Sequence, residues 1–178
     1  MGCLYELISN KKVINIQKFA DRFAKLIDKD LKVKCGLFNQ SDIYTKTVYL
    51  GLARYTKQQE SDVEFTTACH IASDFDYVNW CKPQTFAFFH EIGHIIMAKF
   101  YNDKTFEHRK YSLQVDYIVN AWEMGEISSA ERNMFYNKIS MENDANSWAM
   151  LFIEQNLEMV KVYETVMSQL VSDLFPNG

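Results

Sequence analysis

Breakers are scarce in this chain: 178 residues contain two prolines and six glycines. That leaves no Pro- or Gly-rich linker, and no internal repeat or low-complexity stretch divides the sequence. Met1–Gly178 therefore reads as one domain. No run of about 18 apolar residues occurs, so no membrane-spanning helix is expected. Met1–Lys12 lacks the apolar stretch of a secretory signal. The four cysteines, Cys3, Cys35, Cys69 and Cys81, form no C-x-x-C pair, which argues against a thiolate zinc site. They read as reduced thiols in a cytoplasmic protein. Basic residues are outnumbered, 19 against 23, for a net charge of −4. That balance argues against a surface built for direct nucleic-acid binding.

What the chain does have is core material. Apolar residues make up 48%, with 13 Phe and 10 Tyr. Ile16, Phe19, Phe23 and Ile27 repeat at helical spacing, so a helix is predicted from Asn15 as N-cap to about Asp30. The lysines around it (Lys11, Lys12, Lys18, Lys25, Lys29, Lys32 and Lys34) alternate with Asp21, Asp28 and Asp30, as on a solvated face. Val33–Leu37, Thr47–Leu52 and Phe65–Ile71 read as short strands, and Ser73–Lys82 as irregular. Pro83 suits the first turn of a helix running to about Tyr101. Phe86, Phe88, Phe89, Ile92, Ile95, Ile96, Met97 and Phe100 surround that helix, so it should be buried. Leu113–Met124 is expected as a helix burying Val115, Ile118, Val119 and Trp122. Ser128–Glu131 is a capping box that starts another. Met141–Asn156 and Leu157–Leu174 follow. The expected fold class is α+β, a small sheet packed on a buried helix and followed by a helical C-terminal half.

The buried helix carries His90-Glu91-Ile92-Gly93-His94. Residues four apart share a helix face, so both imidazoles can reach one metal ion. Glu91 sits one step round and can hold a water. Two His ligands, a carboxylate base and an open position are what zinc-assisted hydrolysis requires. The expectation of Glu91 buried beside the histidines strengthens this reading, since an unpaired buried carboxylate is costly. Gly93, small and beside the metal face, leaves room for a close neighbour.

A third ligand must come from elsewhere, from a downstream Glu or Asp. Glu142 shares a helical face with Ala145, Asn146 and Ala149, and the small alanines allow close helix packing. Asn146 could hydrogen-bond to His90 or His94 and orient it. Asp144 is the rival ligand, on the opposite side of the same helix. His70, His108, Tyr101 and Tyr111 are candidates for stabilising an oxyanion. Trp148 and the Phe86–Phe89 cluster read as core.

H-E-x-G-H followed by E-x-x-A-N-x-[F/W]-A resembles the ImmA/IrrE metallopeptidases, small gluzincins of bacteria, phages and mobile elements. The resemblance is sharp over two short segments and extends over roughly Thr47–Leu157. It implies a zincin-like fold, with His90, His94 and Glu142 as zinc ligands and Glu91 as general base. Ala145, Asn146, Trp148 and Ala149 match the tail of the second motif. It also implies a zinc-dependent endopeptidase acting on a protein substrate such as a helix-turn-helix repressor. The interval from His94 to Glu142 is longer than the family leads one to expect. Thr47–Leu52 or Phe65–Ile71 would bind the substrate backbone by strand addition. The alternative is a metal-bound regulatory protein that binds a partner without cleaving it.

Overall fold

The computed structural model describes residues 11–36, 39–52 and 80–174, and the elements below belong to them. In chain order they are α1 (Lys11–Ile27), β1 (Lys32–Gly36), β2 (Gln40–Asp42), β3 (Thr47–Gly51) and α2 (Pro83–Met97). After α2 come a 3₁₀ turn (Ala98–Phe100), α3 (Lys104–Glu123), α4 (Ser129–Asn137), α5 (Ser140–Gln155) and α6 (Leu157–Leu174). The class is α+β, as expected. The strand expected at Phe65–Ile71 and the irregular stretch 73–79 lie outside the described residues.

α1 begins at Lys11, one turn before the expected Asn15 cap, and stops at Ile27. It buries Val13, Ile16, Ala20, Phe23 and Ala24, and all seven lysines around it are exposed. Its polar side chains also serve the sheet. Gln17 Oε1 accepts from Cys35 N at 3.0 Å and Asp21 Oδ1 from Val33 N at 2.9 Å. Helix side chains thus occupy donors along the outer edge of β1, one way a fold blunts a sheet edge.

The strand order is β1-β3-β2, with β1 parallel and β2 antiparallel to β3. The turn from β2 to β3 is set by Asp42, whose Oδ1 accepts from Tyr44 N and Thr45 N at 2.9 and 3.0 Å. Lys46 follows at φ 53°, the left-handed conformation the turn needs. Thr47–Leu52 was expected to offer an exposed strand for a substrate. Instead β3 is the central strand, paired on both sides, with four of its five residues buried. A strand apolar on both faces belongs in the middle of a covered sheet, and here α2 covers it.

α2 is the buried axis of the molecule. Ten of its fifteen residues are buried, and it packs on β2, β3 and α5. Behind it, Tyr163 of α6 stacks on Phe88 with centroids 4.9 Å apart and meets Phe23 at 4.7 Å and Phe19 at 5.7 Å. Trp148 stacks on Phe152 at 5.0 Å. Part of the aromatic surplus of the sequence is spent on this core. Cys35 and Cys81 are buried free thiols, and burial pushes both up to about 12.

α3 and α4 form a hairpin between the two motif helices. Asp103 caps α3 by accepting from Phe106 N at 3.0 Å. The helix ends on Gly125 at φ 73°, where Gly125 N donates to Trp122 O and Glu126 N to Ala121 O, a Schellman closure. α4 starts on the expected capping box, Ser128 with Glu131. α3 starts nine residues earlier than predicted, and of its expected apolar face only Ile118 is fully buried, while Trp122 is exposed.

Candidate metal centre

α2 and α5 meet at Gly93. A methyl at that position would lie 2.7 Å from Ala145 O and 3.1 Å from Ala145 Cα. Only a residue without Cβ lets the backbones come this close, and Ala145 with Ala149, both fully buried, completes the contact. The close crossing carries Glu142 of α5 to the histidine face of α2.

Three side chains converge there. His90 Nε2 and His94 Nε2 lie 3.1 Å apart; Glu142 Oε2 is 3.2 Å from the first, and its Oε1 is 3.4 Å from the second. All three residues are buried. Two donors each about 2.0–2.1 Å from a tetrahedral centre lie about 3.3 Å from one another. The observed separations are close to that spacing, with Oε2 nearer His90 and Oε1 nearer His94. A buried His90, His94 and Glu142 group of this shape can hold a metal ion.

Hydrogen bonding around the group leaves the inward atoms free to coordinate. Asn146 Oδ1 accepts from His90 Nδ1 at 2.8 Å, which puts the ring proton on Nδ1 and the lone pair of Nε2 towards the centre. On the carboxylate side, Tyr111 and Tyr136 both donate to Glu142 Oε1, at 2.7 and 3.1 Å. Glu142 Oε2 is buried with no hydrogen-bond partner. A buried carboxylate oxygen without a hydrogen-bond partner, 3.2 Å from His90 Nε2, is costly without a cation and satisfied by one.

Electrostatics follow the same geometry. Burial opposes the charged form of His90, yet the Glu142 carboxylate outweighs it and raises its pKa. Burial would raise Glu142, but the two imidazoles hold it well below the usual carboxylate range. Tyr111 and Tyr136 are raised by burial first and by the Glu142 charge second, so both remain neutral donors.

The group opens into a cleft of about 500 Å³. Its floor is α2; one wall is Asn39–Ser41 and Ile43, and the other comes from α3 and α4. Glu91 lines this cleft and is half-buried, not buried as the sequence led us to expect. It faces the open space of the cleft.

The chain matches no known family, curated protein or solved structure. The site is therefore read from its own atoms. His90, Glu91, His94, Glu142 and Asn146 stand together as the sequence predicted. Asp144, the rival ligand, points away and accepts from Tyr101 Oη at 3.3 Å, which removes both residues from the centre. His108 lines the cleft, its ring edge-on to Tyr44 at 5.7 Å; His70 lies outside the described residues. Tyr111 binds the ligand carboxylate rather than standing free. Tyr136 and Arg132 escaped sequence reasoning. Both come from α4, and only the capping box that starts this helix hinted at the element that carries them.

Proposed function

We propose that the chain is a zinc-dependent endopeptidase of zincin-like fold, related to the ImmA/IrrE metallopeptidases and acting in the cytoplasm on a protein substrate such as a transcriptional repressor. The observation that carries this reading is the convergence of His90, His94 and Glu142 at metal-ligand spacing with Glu91 beside them in an open cleft. A His₂Glu donor set with one open position suits zinc best among common metals.

When bound, zinc supplies Lewis acidity to a water and to a substrate carbonyl. The chain's own residues do the rest. Glu91 accepts a proton from the attacking water on a carboxylate oxygen and passes it to the leaving amide nitrogen, the work of a general base that becomes a general acid. Asn146 fixes the His90 ring, and Tyr111 with Tyr136 fixes the carboxylate of Glu142. Substrate alignment falls to β2, not β3. β1's outer edge is occupied by Gln17 and Asp21, whereas β2 has no second strand partner among the described residues and runs along the cleft. An extended peptide can add to that edge.

The test is Glu91→Gln in the zinc-loaded full chain, with a pool of synthetic peptides as substrate. Zinc content should stay at about one per chain while hydrolysis falls about a hundred- to ten-thousand-fold. An unchanged cleavage rate would sink the mechanism.

A further inference from the structure

Among the described residues, Arg132 of α4 is the one arginine or lysine lining the cleft that holds His90, Glu91, His94 and Glu142. Its position is braced from two sides. The guanidinium lies over the Trp122 ring with its carbon 4.4 Å from the centroid, and Trp122 is itself tied by Nε1 to Ser129 Oγ at 3.2 Å. Arg132 Nε and Nη2 donate to Asn133 Oδ1 at 3.2 and 2.9 Å.

Those contacts use two of the five N–H donors of a guanidinium. None of the remaining three meets a carboxylate among the described residues. The acid beside it, Glu131, is committed to the capping box, where Oε2 accepts from Ser128 N and Oγ at 2.8 Å. Glu142 is committed to the tyrosines and histidines. Stacking, orientation and unspent paired donors are the features with which an arginine recognises a carboxylate in two-point fashion.

We infer that Arg132 anchors a carboxylate of the substrate, either an Asp or Glu side chain near the scissile bond or the chain-terminal carboxylate. The inference rests on the peptidase reading for the identity of the substrate, but not for the binding itself. A peptide lying along β2 with its backbone meets Arg132 on the facing wall, so the residue selects among peptides rather than performing chemistry.

The experiment uses the zinc-loaded full chain and a pool of randomised synthetic peptides in two forms, free C-terminus and C-terminal amide. Cleavage products are sequenced by mass spectrometry. In parallel, peptides retained by the immobilised Glu91→Gln protein are identified. Enrichment of Asp or Glu at a fixed distance, about tenfold and kept in the amide form, assigns the side chain. Enrichment confined to the free-acid form assigns the terminus. Arg132→Gln should bring either ratio to about one, and Arg132→Glu should replace it with a preference for Lys or Arg, which a merely structural role would not do. Arg132→Lys retains part of the preference and keeps the test decisive if Arg132→Gln unfolds the hairpin. No carboxylate preference in the wild type, or the same preference in Arg132→Gln, overturns the inference. If nothing is cleaved at all, the peptidase reading falls, and the retained peptides decide the role of Arg132 on their own.

Discussion

Two helix pairs border the cleft, and they are built on opposite principles. α2 buries ten of fifteen residues, and α5 buries Met141, Glu142, Ala145, Asn146, Ala149 and Ile153 along one face. α3 buries two of twenty, and α4 buries none. Leu113, Tyr117, Phe106 and Met124 are well exposed on or beside α3. The first pair brings His90, His94 and Glu142 together at a spacing that can hold a metal ion. The second supplies single polar tips, Tyr111, Tyr136, His108 and Arg132, from a frame with little core of its own. A metal site needs ligands on rigid, packed elements. Elements with few buried residues open at low free-energy cost. The candidate metal group and the wall facing it thus belong to different parts of the chain.

The strongest way to break the comparison is at the carboxylate. Glu142→Ala should reduce zinc from about one per chain to nearly none, as measured by mass spectrometry after dialysis. Full retention would mean that α5 contributes no ligand. Gly93→Ala comes next. The new methyl meets Ala145 backbone at 2.7 Å, so one helix must move. Overpacking costs about 1–3 kcal/mol, against about 1 kcal/mol gained in helix propensity. A lower melting temperature together with weaker zinc binding is expected; a more stable protein would show that the crossing is not tight.

Asn146→Ala should leave the fold intact and weaken zinc about ten- to a hundredfold, the usual cost of losing the partner that orients a ligating histidine. Competition with a chromophoric chelator reads this directly. The smallest effect belongs to the other pair. Tyr117 is 77% exposed, so Tyr117→Ser should change stability by no more than about 0.5 kcal/mol. A larger loss in a denaturant titration would mean that the outer face of α3 is packed after all, and the contrast would fail.

The two halves of the cleft also differed in how far the sequence revealed them. His90, His94, Glu91, Glu142, Asn146 and Gly93 were legible because helical spacing alone places each on its face, and the small residues announce where two helices touch. α4 was legible from its first four residues, since Ser128 and Glu131 complete each other locally. Tyr136 and Arg132 were not, because nothing within their own helix marks a side chain that reaches a carboxylate or cleft contributed by other elements. β2 escaped because Gln40–Asp42 is three residues long and polar, and a strand that short exists only through its partner. Thr47–Leu52 was found as a strand but misplaced at an edge. Its apolar character on both faces was the clue to a central position. The long interval between His94 and Glu142, an oddity in the sequence, is the α3–α4 hairpin that forms the second wall.

The arrangement of Tyr111 and Tyr136 on a single oxygen has a consequence for which ions the centre accepts. Both hydroxyls are spent on Oε1, which leaves Oε2 as the carboxylate oxygen that shares nothing with a hydrogen-bond donor. Calcium takes six to eight oxygen ligands, with carboxylates often gripping it through both atoms. Magnesium asks for near-ideal octahedral geometry and keeps several waters. Two imidazoles and one carboxylate resemble neither shell. By donor set, the group is better matched to an ion that takes nitrogen ligands than to either hard cation.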